Sequence, residues 1–136
     1  QMCIRDSDYT RKADPQILNR ILQHLAPKLG GRYLDVGCGS GNYTHALFER
    51  GVNLCGIDIS QEMLSKAKRK NSYIQWIEGD ARHLPLESLT FDGAICILAT
   101  HHIQDIQKAF QEIARVIRNG PLVIFTAFPE QMDYYW

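Results

Sequence analysis

Three glycines beside an acidic residue are the first place where residue types and spacing in this sequence indicate chemistry. Gly37, Gly39 and Gly41 occupy alternate positions, and Asp35 lies two residues before the first of them. Glycine permits positive φ angles and removes the side chains that keep a ligand away from the backbone. A carboxylate at Asp35 would repel a pyrophosphate and attract an ammonium group, so the pattern favours a zwitterionic ligand over a polyphosphate.

Two more acidic residues extend this pattern along the chain. Asp58 follows the glycines by about 20 residues, a separation at which a carboxylate can accept hydrogen bonds from two vicinal ribose hydroxyls. Asp80 can accept from an exocyclic amine while the backbone N–H of Ala81 donates to a ring nitrogen, a pairing that would select adenine. Together these residues indicate a ligand that contains an adenosine with an unphosphorylated ribose.

The segments that carry these residues alternate between strand and helix patterns. Short apolar runs predict strands at 33–36, 53–58, 73–77, 91–97 and 122–128. Apolar spacing and capping residues, such as Asp14 before Pro15 and Ser60, predict helices at 15–25, 43–50, 61–70 and from about 105 to 117. Strands that alternate with helices imply right-handed crossovers, so the fold class is α/β. We expect a doubly wound, Rossmann-like parallel sheet of five strands with helices on both faces.

Ligands of such sheets bind beyond the carboxyl ends of the strands, where the strand order reverses. The residues at these ends are 35–41, Asp58, 80–81 and 97–102, the last range running from Ile97 to His102. We therefore expect the acidic residues and the glycines to meet at one edge of the sheet.

Four short motifs in this order resemble those of class I S-adenosylmethionine-dependent methyltransferases. The motifs are LDVGCGSG at 34–41, GIDIS at 56–60, GDA at 79–81 and FD at 91–92. Within that family, the chain resembles the small-molecule methyltransferases that include quinone-biosynthesis C-methyltransferases. The resemblance covers 33–128, most of the chain, and four ordered motifs are more specific than the glycine motif alone.

The resemblance implies S-adenosylmethionine as the cofactor and a small molecule as the methyl acceptor. Asp35 and the three glycines would hold the methionine part, Asp58 the ribose, and Asp80 with Ala81 the adenine. By the same analogy, Ile59 and Met63 would pack on the base. The predicted cofactor-binding set is Asp35, Gly37, Gly39, Gly41, Asp58, Ile59, Met63, Asp80, Ala81 and Ile97.

Catalysis by such a protein needs little from its side chains, because a sulfonium is already a good leaving group. His101 and His102 follow the fourth predicted strand and are the candidate catalytic residues, as a general base or as substrate contacts. A helix-entry role for His101 and a packed or solvated imidazole at His102 are the alternatives. His101 and Asp105 share a helical face, but without a third ligand nearby no metal site is predicted.

Each residue of the cofactor set also fits a structural role. The glycines suit tight packing, Asp58 a turn before the Ser60 cap, and Asp80 the capping of the following loop. Two other functions are open: an NAD(P)-dependent oxidoreductase and a non-catalytic nucleoside-binding module. Asn42, where a G-x-G-x-x-G motif has its third glycine, and the acidic Asp35 argue against the oxidoreductase.

Composition narrows the class of protein further. The 136 residues suit one domain, and 15 basic against 15 acidic residues give no net field for binding nucleic acid. No stretch approaches the roughly 18 apolar residues of a membrane span. The cysteines lack the C-x-x-C spacing of a zinc site. Without a secretory signal pattern we expect a cytoplasmic protein.

The two ends of the sequence carry expectations of their own. Residues 1–7 lack periodicity and look like a non-native leader, so the methyltransferase core is assigned to 8–136. Class I methyltransferases usually have two further strands after the fifth, and these are predicted to be missing here. The fifth strand would then be an exposed apolar edge.

Overall fold

The computed structural model describes residues 13–97 and 104–125. Its helices are α1 (Pro15–Leu25), α2 (Asn42–Glu49), α3 (Gln61–Lys70) and α4 (Ile106–Val116). Its strands are β1 (Tyr33–Val36), β2 (Leu54–Asp58), β3 (Gln75–Glu78), β4 (Gly93–Ile97) and β5 (Leu122–Phe125). All four pairings are parallel and the strand order is β3-β2-β1-β4-β5, which confirms the predicted doubly wound sheet.

Three of the four helices in the described part of the chain, α1, α3 and α4, begin where the sequence supplies a capping side chain. Asp14 accepts a hydrogen bond from the N–H of Gln16 at 2.9 Å, and Pro15 occupies the first helical position of α1. Ser60 accepts from the N–H of Met63 at 3.2 Å at the start of α3. These bonds satisfy backbone donors that have no partner within a helix.

The apolar core lies on both faces of the sheet. One face packs Tyr33 of β1 against Ile21 of α1 and Leu47 of α2. The other packs Leu34, the next residue of β1, against Ile113 of α4. This period-2 alternation fixes the direction of Asp35: it shares the Tyr33 face, on which α2 lies.

Two strands begin two residues later than their sequence patterns predict. The N–H of Phe91 donates to the carbonyl of Val116 at 2.9 Å, and Arg118 N–H donates to the carbonyl of Phe91 at 2.7 Å. Phe91 therefore pairs with the α4–β5 connection, and β4 begins at Gly93. Tyr73 N–H donates to the Asn71 side chain at 2.8 Å, a turn that delays β3 to Gln75.

Other expectations fall on residues outside the described ranges. The predicted leader at 1–7 is among them, as is the part of the fifth strand predicted beyond Phe125. Of the helices within 13–97 and 104–125, none combines the length and apolar character that crossing a bilayer requires.

Candidate functional site

The strand order reverses between β1 and β4. From β1 the chain adds β2 and β3 on one side of the sheet, and then crosses to add β4 and β5 on the other. Asp35 pairs in register with Ile95, so Ile97, two residues further along, is level with the first glycine of the turn. The carboxyl ends of these two central strands form the crevice where doubly wound sheets bind ligands.

Residues 37–41, here called the glycine loop, join β1 to α2 at this crevice. The φ angles of Gly37, Gly39 and Gly41 are 72°, 59° and 82°, so all three use the left-handed region that favours glycine. The N–H groups of Gly37 and Cys38 both donate to the carbonyl of Ile57, at 2.8 and 3.1 Å. The loop is thereby held against the end of β2.

The glycines of this loop have different surroundings. A Cβ added at Gly39 would meet no atom within 4 Å, so the backbone there borders open space. A Cβ added at Gly41 would lie 2.6 Å from Cη2 of the Trp76 indole. Gly39 therefore allows a ligand to approach the main chain, whereas Gly41 has the packing role that was the structural alternative.

Asp58 connects β2 to the glycine loop through its side chain. Its Oδ2 accepts from the N–H of Gly39 at 2.8 Å, and its Oδ1 accepts from the N–H of Ser60 at 2.9 Å. The second bond is the turn role considered as an alternative, and the first joins two of the predicted ligand-binding segments. Each carboxylate oxygen has another lone pair, so Asp58, which is half-buried, keeps the capacity to accept from a ligand.

Asp80 lies next to this cluster because the N–H of Gly79 donates to the carbonyl of Asp58 at 3.0 Å. Its Oδ2 pairs with Arg82 Nη2 at 2.8 Å, and its Oδ1 accepts from the Arg82 N–H at 2.9 Å. These bonds with Arg82 lower the pKa of Asp80 to about 2. The loop-capping alternative is thus present at Asp80, while Ala81 is half-buried beside it.

Asp35 is the buried acidic group of the site, with 2% of its surface exposed. Thr44 of α2 donates its hydroxyl to Oδ2 of Asp35 at 2.7 Å. Burial raises the pKa of Asp35 to about 7; the Thr44 hydrogen bond opposes the rise and the negative charge of Asp58 adds to it. Among the described residues, none donates a hydrogen bond to the other oxygen, Oδ1.

Two residues that the sequence patterns did not single out hold the glycine loop in place. Trp76 of β3 packs its indole against both Gly41 and Gly56, where added Cβ atoms would lie 2.6 and 2.7 Å away. Lys70, the last residue of α3, donates from Nζ to the carbonyl of Ser40 at 3.0 Å and to the side chain of Asn42. A glycine inside a strand, such as Gly56, is the signal that a neighbour approaches closely there.

The remaining predicted residues are placed as follows. Ile59 directly follows β2 and is 66% exposed, and Met63 is half-buried in the first turn of α3. Ile97 ends β4 and is buried. His101 and His102 lie outside the described residues. Within the described ranges, no group of three or more His, Cys, Asp or Glu residues is arranged to hold a metal ion.

Cys55 and Cys96 near the site are buried, and Cys38 is half-buried. Burial raises the pKa of Cys55 in β2 to about 11 and that of Cys96 in β4 to about 12. Burial also raises the pKa of Cys38 in the glycine loop, where Asp35 and Asp58 add to the effect. Protonated thiols are poor nucleophiles, so these three residues serve as small packing groups.

Residues 34–125 match the family described as methyltransferase domain. The malonyl-[acyl-carrier protein] O-methyltransferase of Enterobacter lignolyticus is 30% identical over 106 residues, which cover 78% of this chain and 42% of that protein. The demethylmenaquinone methyltransferase of Paenarthrobacter aurescens is 28% identical over 116 residues, covering 85% and 46%. The structure of a proposed methyltransferase from an antibiotic biosynthesis pathway of Anabaena variabilis has a TM-score of 0.81 and 36% identity, covering 86% and 47%.

This chain spans less than half the length of each of these three proteins. The matched region runs from β1 to β5 and contains the glycine loop, Asp35, Asp58 and Asp80. The family and the fold imply S-adenosylmethionine as the methyl donor. On this agreement of motif order, sheet topology and family match, the chain belongs to the methyltransferase-domain family, with a class I, Rossmann-like fold.

Proposed function

We propose that this protein transfers a methyl group from S-adenosylmethionine to a small-molecule acceptor. One observation carries the proposal: Asp58 is bonded through its side chain to Gly39 and through its carbonyl to Gly79, the residue before Asp80. The segments expected to bind the methionine, ribose and adenine parts of the cofactor are therefore adjacent at one edge of the sheet.

The residues present fit the cofactor at its methionine end. Oδ1 of Asp35 is a buried acceptor without a donor among the described residues, and the backbone at Gly39 borders open space. An α-ammonium group would satisfy the first, and the carboxypropyl chain can approach the second without a steric conflict. We assign the methionine part to Asp35 and the glycine loop on this basis.

At the nucleoside end, Asp58 would accept from the ribose hydroxyls through its remaining lone pairs. Asp80 would accept from the exocyclic amine of adenine while keeping its ion pair with Arg82, and Ala81 N–H would donate to the ring. Ile59 and Met63 would cover the base. Ile59 is 66% exposed, and binding of the base would explain why a large apolar side chain is left exposed to solvent there.

When bound, S-adenosylmethionine supplies a methyl group on a positively charged sulfur that is a good leaving group. The protein's own residues then bind the cofactor, orient it and exclude water. Asp35 and Asp58 would do the first two, and Ile97, buried at the end of β4, would keep water from the crevice. A proton on the acceptor, where there is one, would pass to a base, and His101 and His102 remain the predicted candidates.

The class of acceptor is supported by the relatives and by charge. One relative is named for methylating malonyl-[acyl-carrier protein] and another for demethylmenaquinone, two acceptors of different chemistry. Equal numbers of basic and acidic residues disfavour a nucleic acid acceptor. We therefore propose a small-molecule acceptor without naming it. A reducing, cytoplasmic setting is part of the proposal, supported by the free thiols of Cys38, Cys55 and Cys96.

Calorimetric titration with S-adenosylhomocysteine, and separately with NAD, tests the cofactor. We expect saturable binding of S-adenosylhomocysteine at micromolar concentrations and no heat with NAD. NAD binding without a response to S-adenosylhomocysteine would overturn the proposal in favour of an oxidoreductase.

Methyl transfer is tested by incubating the protein with radiolabelled S-adenosylmethionine and a fractionated metabolite extract. We expect label in one or a few small-molecule fractions. Tight cofactor binding with no labelled product in any fraction would identify a nucleoside-binding module instead of an enzyme.

A further inference from the structure

The buried pair formed by Thr44 and Asp35 has a geometry that the cofactor assignments do not use. The Thr44 side chain is fully buried, and its hydroxyl lies 2.7 Å from Oδ2 of Asp35. A threonine hydroxyl without a partner in a core destabilises the folded state, and a buried carboxylate without a partner destabilises it more. The hydrogen bond between Thr44 and Asp35 therefore offsets part of the desolvation cost of both groups.

Local structure fixes where this hydroxyl lies. Thr44 is the third residue of α2, and α2 starts directly after the glycine loop at Gly41. The loop is tied to the carbonyl of Ile57 and, through Gly39, to Asp58. The backbone that would contact the cofactor therefore also determines the position of Thr44 relative to Asp35 of β1.

We propose that Thr44 is a positioning residue of the cofactor site, whose hydroxyl fixes Oδ2 of Asp35 and so reserves Oδ1 for the α-ammonium group of S-adenosylmethionine. This inference rests on the proposed function, because it takes Asp35 as the acceptor for that ammonium group. It adds a specific task for Thr44, which touches Asp35 and acts on the cofactor through it.

The charges around Asp35 give the pair a measurable signature. The groups that face it are the carboxylate of Asp58 at the end of β2 and the thiols of Cys38 in the loop and Cys96 in β4. Asp58 raises the pKa of Asp35 in addition to burial, and the Thr44 hydroxyl lowers it, with a net value of about 7. An ammonium ligand requires the carboxylate form, so affinity should fall as pH drops below about 7, by at most about tenfold per pH unit.

The experiment measures S-adenosylhomocysteine affinity by calorimetry from about pH 5.5 to about pH 8.5 for the protein and three variants. Thr44→Val removes the hydroxyl at nearly constant volume and should move the affinity transition to higher pH. At neutral pH its affinity should be about 3- to 10-fold weaker, the loss of one hydrogen bond to a charged group expressed through Asp35. Thr44→Ser keeps the hydroxyl and should retain the original transition.

Leu47→Ala is the matched control, because Leu47 is equally buried one turn further along α2 but packs on apolar residues. It should lower the unfolding temperature and leave the pH of the affinity transition unchanged. A merely structural role for Thr44 would make Thr44→Val behave like this control, and that result would overturn the inference.

Other outcomes separate the inference from the function beneath it. No binding of S-adenosylhomocysteine by the unaltered protein at any pH would overturn the proposed function and the inference with it. Binding with an unshifted transition in Thr44→Val, or a shift as large in Thr44→Ser, would overturn the inference alone.

If Thr44→Val does not fold, Thr44→Ala replaces it, and the unaltered protein supplies a second measurement. Titrations near pH 6 in buffers of different ionisation enthalpy should report release of up to about one proton per ligand, as Asp35 loses its proton to accept the ammonium group. Equal proton release at neutral pH by the unaltered protein and by Thr44→Ala would contradict the inference, because loss of the hydroxyl should raise the pKa of Asp35 and so increase the release.

Discussion

The backbone N–H of Gly39 donates to Oδ2 of Asp58 at 2.8 Å, which joins the turn after β1 to the end of β2. A single carboxylate thus sets the separation between the segment assigned to methionine and the segment assigned to ribose. Because Oδ1 of the same carboxylate is held by Ser60 N–H at 2.9 Å, the side chain cannot rotate without breaking two bonds. The site is organised before a ligand arrives, which lowers the entropic cost of binding.

Asp58→Ala should weaken S-adenosylhomocysteine binding roughly 10- to 100-fold, since hydrogen bonds to charged groups contribute about 1.5–3 kcal/mol. Calorimetric titration measures the change. Asp92→Ala is the control: Asp92 also accepts from backbone, at Arg32, but lies at the amino end of β4, the opposite edge of the sheet. Equal losses of affinity in both variants would contradict the assignment of Asp58 to the ligand.

Alanine at Gly39 and at Gly41 should have different effects. Gly41→Ala should destabilise the protein by about 2–4 kcal/mol, because overpacking against Trp76 adds to the cost of a positive φ. Gly39→Ala should cost about 1–2 kcal/mol from φ alone.

The same pair separates stability from binding. Only Gly39→Ala places a methyl group in the open space beside the loop, so among folded molecules it should weaken ligand binding more. Urea unfolding and calorimetry on both variants check this, and a larger binding defect in Gly41→Ala would reverse the interpretation of the two glycines.

Asp35 should make the protein less stable as pH rises from about 4 to about 7. Its folded pKa, about 7, is above the ordinary value of 3.8, so in this range the native state holds a proton that the unfolded chain has lost. A shift of that size corresponds to at most about 4 kcal/mol in the free energy of unfolding, fully present below pH 4 and lost by pH 7.

Asp35→Asn removes this titration and still accepts from Thr44. Urea unfolding at several pH values should therefore give curves for the two proteins that converge in acid and diverge towards neutrality, with the variant more stable at pH 7. Curves that stay parallel from pH 4 to pH 8 would exclude Asp35 as the source.

Lys70→Ala should weaken S-adenosylhomocysteine binding by about 3- to 10-fold, because the carbonyl of Ser40 loses a charge-assisted hydrogen bond that holds the glycine loop. Lys68→Ala is the matched control, from the same last turn of α3 but exposed. The comparison also controls for the favourable effect of a cation at a helix C-terminus. Similar affinities for the two variants would show that the loop holds its shape without Lys70.

The fold could be read from the sequence because its signals are local. The caps at Asp14 and Ser60 and the apolar runs of the strands depend on neighbours within four residues, and the helix starts were predicted to within one residue. Strand starts were predicted less well. Phe91 is of a residue type common in strands, but its backbone hydrogen bonds are with Val116 and Arg118, outside the sheet. Nothing in the residues next to Phe91 signals that long-range choice.

The site divides in the same way. That Asp35, Asp58 and Asp80 gather at one edge follows from the parallel topology, and this was predicted. The bonds between Lys70 and Ser40 and between Thr44 and Asp35 depend on how two helices settle on the sheet, so no local pattern indicates them. Asp80 pairs with Arg82 and so stabilises the loop after β3. Its carboxylate has further lone pairs, so it remains a candidate ligand-binding residue.

The contact between Trp76 and the glycine loop gives the protein an intrinsic optical reporter. The indole lies against Gly41 and donates its N–H to the carbonyl of Asn71 at 2.8 Å, so its emission depends on both the loop and the end of α3. The sequence contains two tryptophans, and replacing Trp136 leaves Trp76 as the single tryptophan, which can be excited selectively over the tyrosines. Spectra recorded without any attached dye would then follow the packing beneath Gly41 of the glycine loop, on timescales that calorimetry does not reach.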